Sequence, residues 1–259
     1  MKIHPTAIVD PKANIGANVI IGPYNLIGPN VTIGDNTETG ANVIIEGFVS
    51  IGCNNTISHH ITIGTPPQDK AYNGEDTKVQ IGNNNVIREF VSIHRASTKD
   101  RWKTEIGDNN FIMSYSHVGH DCVIGNNIVM ANGIGLSGHC VVEDYANIGG
   151  MSGFHQFVRM GSYCMVGAMT AVGKDVPPFV IAAGPAHKSK LYGLNTVGLK
   201  RNNFSKEQID TLSKAYQYLW KSNYIFEDAK KKVIEELGSD PNVIRLIKFL
   251  NESKRGVMR

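Results

Sequence analysis

The chain has 259 residues, a net charge of +3 and a pI near 8.6, and this mild basicity argues against a nucleic-acid-binding protein. Residues 1–6 carry no apolar run typical of a signal peptide, and no stretch approaches the roughly 18 apolar residues of a membrane span. We therefore expect a cytoplasmic protein with no integral membrane segment and no nucleic-acid partner.

A repeat of six residues runs along the first two thirds of the chain. A bulky aliphatic or aromatic residue recurs at every sixth position from Ile3 to Ile63, with Thr39 as the weak member, and again from Ile106 to Val172. Hexapeptide periods are typical of a parallel β-helix, in which three short strands close a coil of about 18 residues. Residues about 18 apart should therefore lie on adjacent rungs of one ladder.

Glycine follows the buried position in many of these repeats, as at Gly34 and Gly119. We expect the corners of the coil to need its tolerance of positive φ. Asn-rich corners, such as those at Asn84 and Asn127, should serve the same need.

Two insertions interrupt the repeat, at residues 65–78 and 98–104. The first contains Gln68 and Asp69 and returns in phase at Ile81, whereas the second shifts the phase by one residue before Ile106. Loops on a rigid scaffold often bind ligands, although a β-helix also tolerates insertions without function. Both are candidate binding loops.

The repeat ends near residue 178, which predicts a β-helix domain at 1–178 and a connector with an α-helical C-terminal domain at 179–259. Ser205 with Gln208 forms a capping-box pattern for one helix. A second helix should run from Phe226 to Leu237, and a third should start at Asp240-Pro241. We expect this helical block to cover the last rung of the β-helix.

Cys122, Cys140 and Cys164 each stand four places after a buried position, where the repeat needs a small inward side chain. They are interpreted as core residues. A disulfide between Cys122 and Cys140 is geometrically conceivable, but it is not expected in a reducing cytosol.

The 18-residue spacing brings polar residues to one corner. Positions 120, 138 and 156 should stack, as should positions 121 and 139 one place later, with positions 117 and 155 close by. The converging residues are His117, His120, Asp121, Gly138, His139, His155 and Gln156.

Histidine beside aspartate is suited to proton abstraction, because the carboxylate orients the imidazole and stabilises its charged form. His120 and Asp121 fit that description, since the bend at a corner can turn adjacent residues into one site. Gly138 leaves its N–H open to a developing oxyanion, which indicates acyl transfer. Two alternatives remain open: a zinc site formed by His117, His120 and His139, as in gamma-class carbonic anhydrases, and a scaffold without catalysis.

Three segments resemble one family closely: residues 117–122 (HVGHDC), 149–157 (GGMSGFHQF) and 198–201 (GLKR). They are similar to the UDP-N-acetylglucosamine 3-O-acyltransferases, which begin lipid A synthesis. The resemblance covers essentially the whole chain, including the loop at Asp69 and the helical C-terminus.

This resemblance implies a mainly β fold, a left-handed parallel β-helix with a small C-terminal α-helical domain, and a homotrimer with sites between subunits. It implies His120 as general base, Asp121 as its partner and Gly138 as oxyanion donor. It implies substrate contacts at Asp69, His117, His139, His155, Gln156, Asn195 and Arg201. The substrates implied are 3-hydroxyacyl-loaded acyl carrier protein and UDP-N-acetylglucosamine or its 3-amino analogue, with no cofactor and no metal.

The chain departs from the family pattern at Lys70 and Ala71, where the lysine comes one place early, and at Asn202, where a second arginine is common. Ala168 lies near the position that limits acyl-chain length in relatives. A basic surface formed by Arg159, Lys174, Lys188, Lys190, Lys200 and Arg201 is expected to receive the acidic acyl carrier protein.

Overall fold

A computed structural model describes residues 1–185 and 188–259. Within these ranges the chain forms 28 short strands and four helices. The strands before the first loop are β1 (Lys2–Ile3), β2 (Ile8–Val9), β3 (Asn14–Ile15), β4 (Ile20–Ile21), β5 (Leu26–Ile27), β6 (Val31–Ile33), β7 (Glu38–Thr39), β8 (Ile44–Ile45), β9 (Phe48–Ile51), β10 (Thr56–Ile57) and β11 (Thr62–Thr65).

Between the two loops lie β12 (Lys78–Ile81), β13 (Val86–Ile87) and β14 (Ser92–His94). The strands after the second loop are β15 (Lys103–Ile106), β16 (Phe111–Ile112), β17 (His117–Val118), β18 (Val123–Ile124), β19 (Val129–Met130), β20 (Gly135–Leu136), β21 (Val141–Val142), β22 (Asn147–Ile148), β23 (Gly153–Phe154), β24 (Arg159–Met160), β25 (Met165–Val166), β26 (Ala171–Val172), β27 (Val180–Ala183) and β28 (Lys190–Leu194).

Successive strands belong in turn to three sheets. The first sheet runs from β1 through β4 and β7 to β25, β27 and β28, the second from β2 to β26, and the third from β3 to β24. All pairings are parallel except that of β27 with β28. The predicted left-handed parallel β-helix is confirmed.

The ladder keeps its register across both loops. Partners on adjacent rungs are normally 18 residues apart, as for Asp108 and Asn126. Ile51 pairs with Ile81 and Ile81 pairs with Ile106, so the separations become 30 and 25 residues. The buried isoleucines stay in one column, and both loops project outward from the coil.

At the corners, positive φ occurs at the expected asparagines but not at the expected glycines Gly34 and Gly119. Asn84 and Asn127 adopt φ of 56° and 57°, as predicted. Gly34 and Gly119 do not have positive φ, and the expectation for these glycines was wrong. A Cβ at Gly119 would lie 2.7 Å from the carbonyl oxygen of Leu136 on the next rung. Glycine is needed there because the neighbouring backbone leaves no space.

The C-terminal block contains α1 (Thr196–Arg201), α2 (Lys206–Trp220), α3 (Phe226–Leu237) and α4 (Pro241–Glu252). The predicted capping box of Ser205 with Gln208 is present at the start of α2. Tyr216 of α2 packs against the β-helix core, so the block covers the last rung as expected. Residues 179–200, which the sequence indicated only as a connector, contain β27, β28 and most of α1. In the described ranges, no helix combines the length and apolarity that a membrane crossing requires.

Candidate active site

His120 and Asp121 form a hydrogen-bonded pair at the corner between the second and third sheets. Nδ1 of His120 lies 2.8 Å from Oδ2 of Asp121. Asp121 adopts φ of 60°, and this bend lets two adjacent side chains meet instead of pointing to opposite faces. Since Nδ1 is engaged by the carboxylate, Nε2 is the nitrogen of His120 left for a substrate.

Asp121 is held by more than one donor. Its Oδ2 accepts hydrogen bonds from the backbone N–H of Ser97 at 2.9 Å and from the Ser97 hydroxyl at 2.8 Å. The side chain is 0% exposed. Burial alone would raise the pKa of the Asp121 carboxyl, but the hydrogen bonds from His120 and Ser97 outweigh burial and lower it. Asp121 is therefore ionised at neutral pH and can orient His120.

Gly138 lies directly against the His120 ring, one rung further on. A Cβ at this position would be 2.5 Å from Cε1 and 2.6 Å from Nε2 of His120. In the described part of the chain, no acceptor is paired with the backbone N–H of Gly138. That donor is available next to the free nitrogen of His120.

His120 and Gly138 line a cleft of about 260 Å³. The other predicted residues in its lining are His117 and Gln156, and Gln68 reaches it from the first loop. The structure thus brings together residues from three rungs and one insertion. Nδ1 of His117 is 2.9 Å from the hydroxyl of Ser92.

The His117 imidazole is neutral at physiological pH. Burial, with smaller contributions from the nearby His94 and His120, lowers its pKa from 6.5 to about 4. A neutral imidazole can both donate and accept a hydrogen bond. His117 is therefore suited to bind a polar substrate group rather than an anion.

His139 lies behind His120 and not in the lining of the cleft. Its ring meets the His120 ring edge-on, with centroids 5.2 Å apart, and stacks on Phe157 at 4.4 Å. Its Nε2 is 3.8 Å from Oδ2 of Asp121. His139 belongs to the same cluster, but it lies on the side of His120 that faces away from the cleft.

The remaining predicted residues lie around this cluster. Asp69 is ion-paired with Lys99, with 2.7 Å between Nζ and Oδ2, so the two inserted loops touch. A hydrogen bond from Lys99 lowers the pKa of the Asp69 carboxyl. His155 lines a neighbouring groove of about 920 Å³ together with Lys174.

Asn195 and Arg201 are not at this cleft within one chain. Asn195 caps α1, where its Oδ1 accepts from the backbone N–H of Gly198, and its Nδ2 donates to the carbonyl oxygen of Tyr163. Tyr163 stands at the corner after the third sheet, whereas His120 stands at the corner after the second. Arg201 lies in the last turn of the same helix.

One group of side chains has the spacing of metal ligands. His120, Asp121 and His139 each offer one ligand atom, and these atoms lie within 4.8 Å of one another. The zinc alternative named His117 in place of Asp121, and His117 is not a member of this group.

Ser97 is a site residue that the sequence analysis did not identify. It lies directly before the second loop, at the corner occupied by Asp121 one rung later. Thr104, which accepts a hydrogen bond from the Asp121 backbone N–H at 2.9 Å, was also missed. The phase shift at this loop was the available signal, because it marks an insertion at the corner that carries His120.

Comparisons with known proteins agree over the whole chain. Residues 175–258 match the family described as UDP N-acetylglucosamine O-acyltransferase, domain 2. Residues 12–47 and 103–133 match the bacterial transferase hexapeptide family.

Similar proteins span both parts. The chain is 53% identical over 258 residues to the acyl-[acyl-carrier-protein]–UDP-N-acetylglucosamine O-acyltransferase of Thermodesulfovibrio yellowstonii, covering 100% of this chain and 99% of the relative. It is 47% identical over 262 residues to the protein of the same name from Burkholderia orbicola, with the same coverage.

Solved structures give the same result. The Francisella novicida UDP-N-acetylglucosamine acyltransferase superposes with a TM-score of 0.96 at 38% identity, covering 99% of this chain and 94% of that one. The UDP-N-acetylglucosamine O-acyltransferase of Moraxella catarrhalis superposes with a TM-score of 0.95 at 41% identity, with 100% of each chain covered.

Proposed function

The chain belongs to the UDP-N-acetylglucosamine O-acyltransferase family, and we propose that His120 is the general base of its acyl transfer. The reaction moves an acyl chain from acyl carrier protein to UDP-N-acetylglucosamine, in the first step of lipid A biosynthesis. The observation that carries the proposal is the 2.8 Å contact between His120 Nδ1 and Asp121, which leaves Nε2 facing the cleft beside Gly138.

In the proposed mechanism, Nε2 of His120 takes the proton of the sugar 3-hydroxyl as that oxygen attacks the thioester carbonyl. The backbone N–H of Gly138 stabilises the oxyanion of the tetrahedral intermediate. When the intermediate collapses, the carbon–sulfur bond breaks and His120 returns the proton to the thiolate. Asp121 stabilises the imidazolium between these two steps.

A hydroxyl acceptor is favoured over the 3-amino analogue because the relatives are named O-acyltransferases. His117, Gln156 and Asp69 are proposed to bind the nucleotide sugar, since they lie at or beside the cleft. His139 and His155 are proposed to border the same binding region. Mass spectrometry of products formed from the two acceptors would test the preference.

We also propose a homotrimer whose clefts are completed by a neighbouring subunit. Asn195 and Arg201 are implied substrate contacts, yet they lie at a different corner from His120, so they could serve only another chain's cleft. Exposed apolar side chains at the corner after the first sheet, such as Tyr115 and Met151, offer a surface to bury. Light scattering tests this assembly, and a fully active monomer would contradict it.

The acyl carrier protein is proposed to dock near the groove that contains Lys174 and Arg259. Of the predicted basic residues, Arg159 is already paired with Glu143 and Glu252, so it contributes less free charge. Raising ionic strength should increase KM for the acyl carrier protein more than KM for the nucleotide sugar. Equal increases would argue against an electrostatic docking surface.

His120→Ala tests the base directly. We expect kcat to fall by roughly 10² to 10⁴, the usual contribution of general base catalysis, with unchanged circular dichroism. Asp121→Ala should lower kcat by a smaller factor, because Asp121 orients His120 but does not itself take the proton. His4→Ala is the control, because His4 is an exposed histidine on the first rung. If His120→Ala keeps more than about a tenth of wild-type kcat, the proposed mechanism has no base. Loss of bound metal together with activity would instead favour a zinc enzyme.

A further inference from the structure

His139 is a buried imidazole whose two nitrogens face two carboxylates. Nε2 lies 3.8 Å from Oδ2 of Asp121, and Nδ1 lies 3.7 Å from Oδ2 of Asp100. The His139 side chain is only 7% exposed, and its Nδ1 has no hydrogen-bond partner among the described residues. A buried ring nitrogen normally has such a partner. Asp100 is the nearby group that can supply it.

Asp100 belongs to the second loop, which crosses the corner that carries Asp121. The two cations beside it in the sequence have other partners: Lys99 pairs with Asp69, and Arg101 pairs with Glu105. Within residues 1–185 and 188–259, His139 is the basic side chain that contacts the Asp100 carboxylate, at 3.7 Å. These two cations are therefore engaged elsewhere and do not pair with Asp100, whose carboxylate lies beside His139.

His139 in turn supports His120. The two rings meet edge-on at 5.2 Å with an interplanar angle of 88°, and the stacked Phe157 closes the other side of His139. If His139 rotated, His120 would lose the surface that packs against it. The 3.7 Å contact with Asp100 is too long for a hydrogen bond, but it places a negative charge beside the Nδ1 edge of the His139 ring and so favours this ring orientation.

We propose that Asp100 is a positioning residue of the active site, which anchors His139 and through it holds His120 against Asp121. This inference rests on the proposed role of His120. Asp100 acts through His139 and makes no contact with substrate. The arrangement is a second carboxylate–imidazole contact behind the first, supplied by an inserted loop and not by the repeat.

The test compares Asp100→Ala and Asp100→Asn with Asp100→Glu and with Arg101→Ala, a control in the same loop that does not contact His139. Removing a partner that orients a site residue typically lowers activity by one to two orders of magnitude, and the 53% exposure of the Asp100 side chain places this case at the low end. We expect kcat to fall about 5- to 20-fold in Asp100→Ala, with KM for UDP-N-acetylglucosamine within about twofold of wild type. Asp100→Glu should recover most of the activity, and Arg101→Ala should be unchanged.

A second measurement needs no turnover. The ¹⁵N resonance of His139 Nδ1 should change in Asp100→Ala and Asp100→Asn and stay unchanged in Arg101→Ala. An unchanged resonance in both Asp100 variants would overturn the proposal, as would a kcat within about twofold of wild type or an equal loss in Arg101→Ala. An active His120→Ala variant would overturn the proposed base, whereas the resonance would still report whether Asp100 anchors His139.

Discussion

The contact between Gly138 and His120 gives a prediction whose size follows from the coordinates. In Gly138→Ala, the added Cβ would lie 2.5 Å from His120 Cε1, whereas ordinary carbon contacts need roughly 3.5 Å. The His120 ring must therefore move by about 1 Å. Its hydrogen bond to Asp121 is 2.8 Å long, and a shift of that size takes it beyond bonding distance.

A misplacement of about 1 Å can cost roughly 10²-fold in rate, so we expect kcat to fall about 100-fold in Gly138→Ala. The backbone N–H is kept in this variant, and the loss would therefore report displacement of the base and not removal of the oxyanion donor. Steady-state kinetics with acyl carrier protein and UDP-N-acetylglucosamine would measure it.

Gly153→Ala is the matched control. A Cβ at Gly153 meets nothing within 4 Å, and Ala171 stands at the paired position one rung further on. We expect its kcat to stay within about threefold of wild type. If Gly138→Ala is equally active, the His120 ring has room to move without loss, and the reasoning from its contact with Asp121 fails.

Three further outcomes follow from other contacts. Asn85→Ala should lower stability by about 3 kcal/mol, seen as a fall in Tm, because this buried side chain bonds Asn55 and the carbonyl oxygen of Gly107. His117 becomes protonated near pH 6.5 in the unfolded chain but only near pH 4 in the folded chain, because its pKa is lowered on folding. The free energy of unfolding therefore falls as the pH falls through this window. His117→Asn should show a smaller drop in Tm between pH 7 and 4. Lys99→Met should raise KM for UDP-N-acetylglucosamine by roughly two- to fivefold with little change in kcat, because Lys99 pairs with Asp69, which is proposed to bind the nucleotide sugar. The effect should be small because an exposed ion pair orders the two loops only weakly.

The sequence predicted the β-helix and the site around His120 and Asp121 because both depend on the strict six-residue period. Once Ile106 to Val172 are placed on rungs, the position of every residue at a corner is determined, and His120 and Gly138 must be neighbours. Helices α2 and α4 were predicted from local signals, because Ser205 with Gln208 and Asp240 with Pro241 mark their N-termini without any tertiary contact. Helix α1 was not predicted.

The inserted loops could not be placed in this way. Ser97 directly precedes the second loop and Asp100 lies within it, so their contacts with Asp121 and His139 depend on how the loop folds over the corner, which no period specifies. Strand β28 was missed because it leaves the parallel pattern and pairs antiparallel with β27. Strand β27 stays parallel to β25, but Ile181 pairs with Met165 only 16 residues earlier, so β27 falls outside the 18-residue spacing.

For the glycines of the repeat, the sequence analysis identified a real pattern but gave the wrong physical reason for it. Sequence alone cannot separate a glycine needed for positive φ from one needed for space, since both appear as a glycine at the same place in the repeat. The structure separates them: the left-handed conformation falls on Asn84, Asp121 and other corner residues, while Gly34 and Gly119 face the next rung's backbone. The distinction matters for the site, because the left-handed position is the one that bends the chain between His120 and Asp121. The active-site pair therefore uses a corner geometry that asparagine commonly provides elsewhere in the coil, and aspartate can replace asparagine there because both tolerate this conformation.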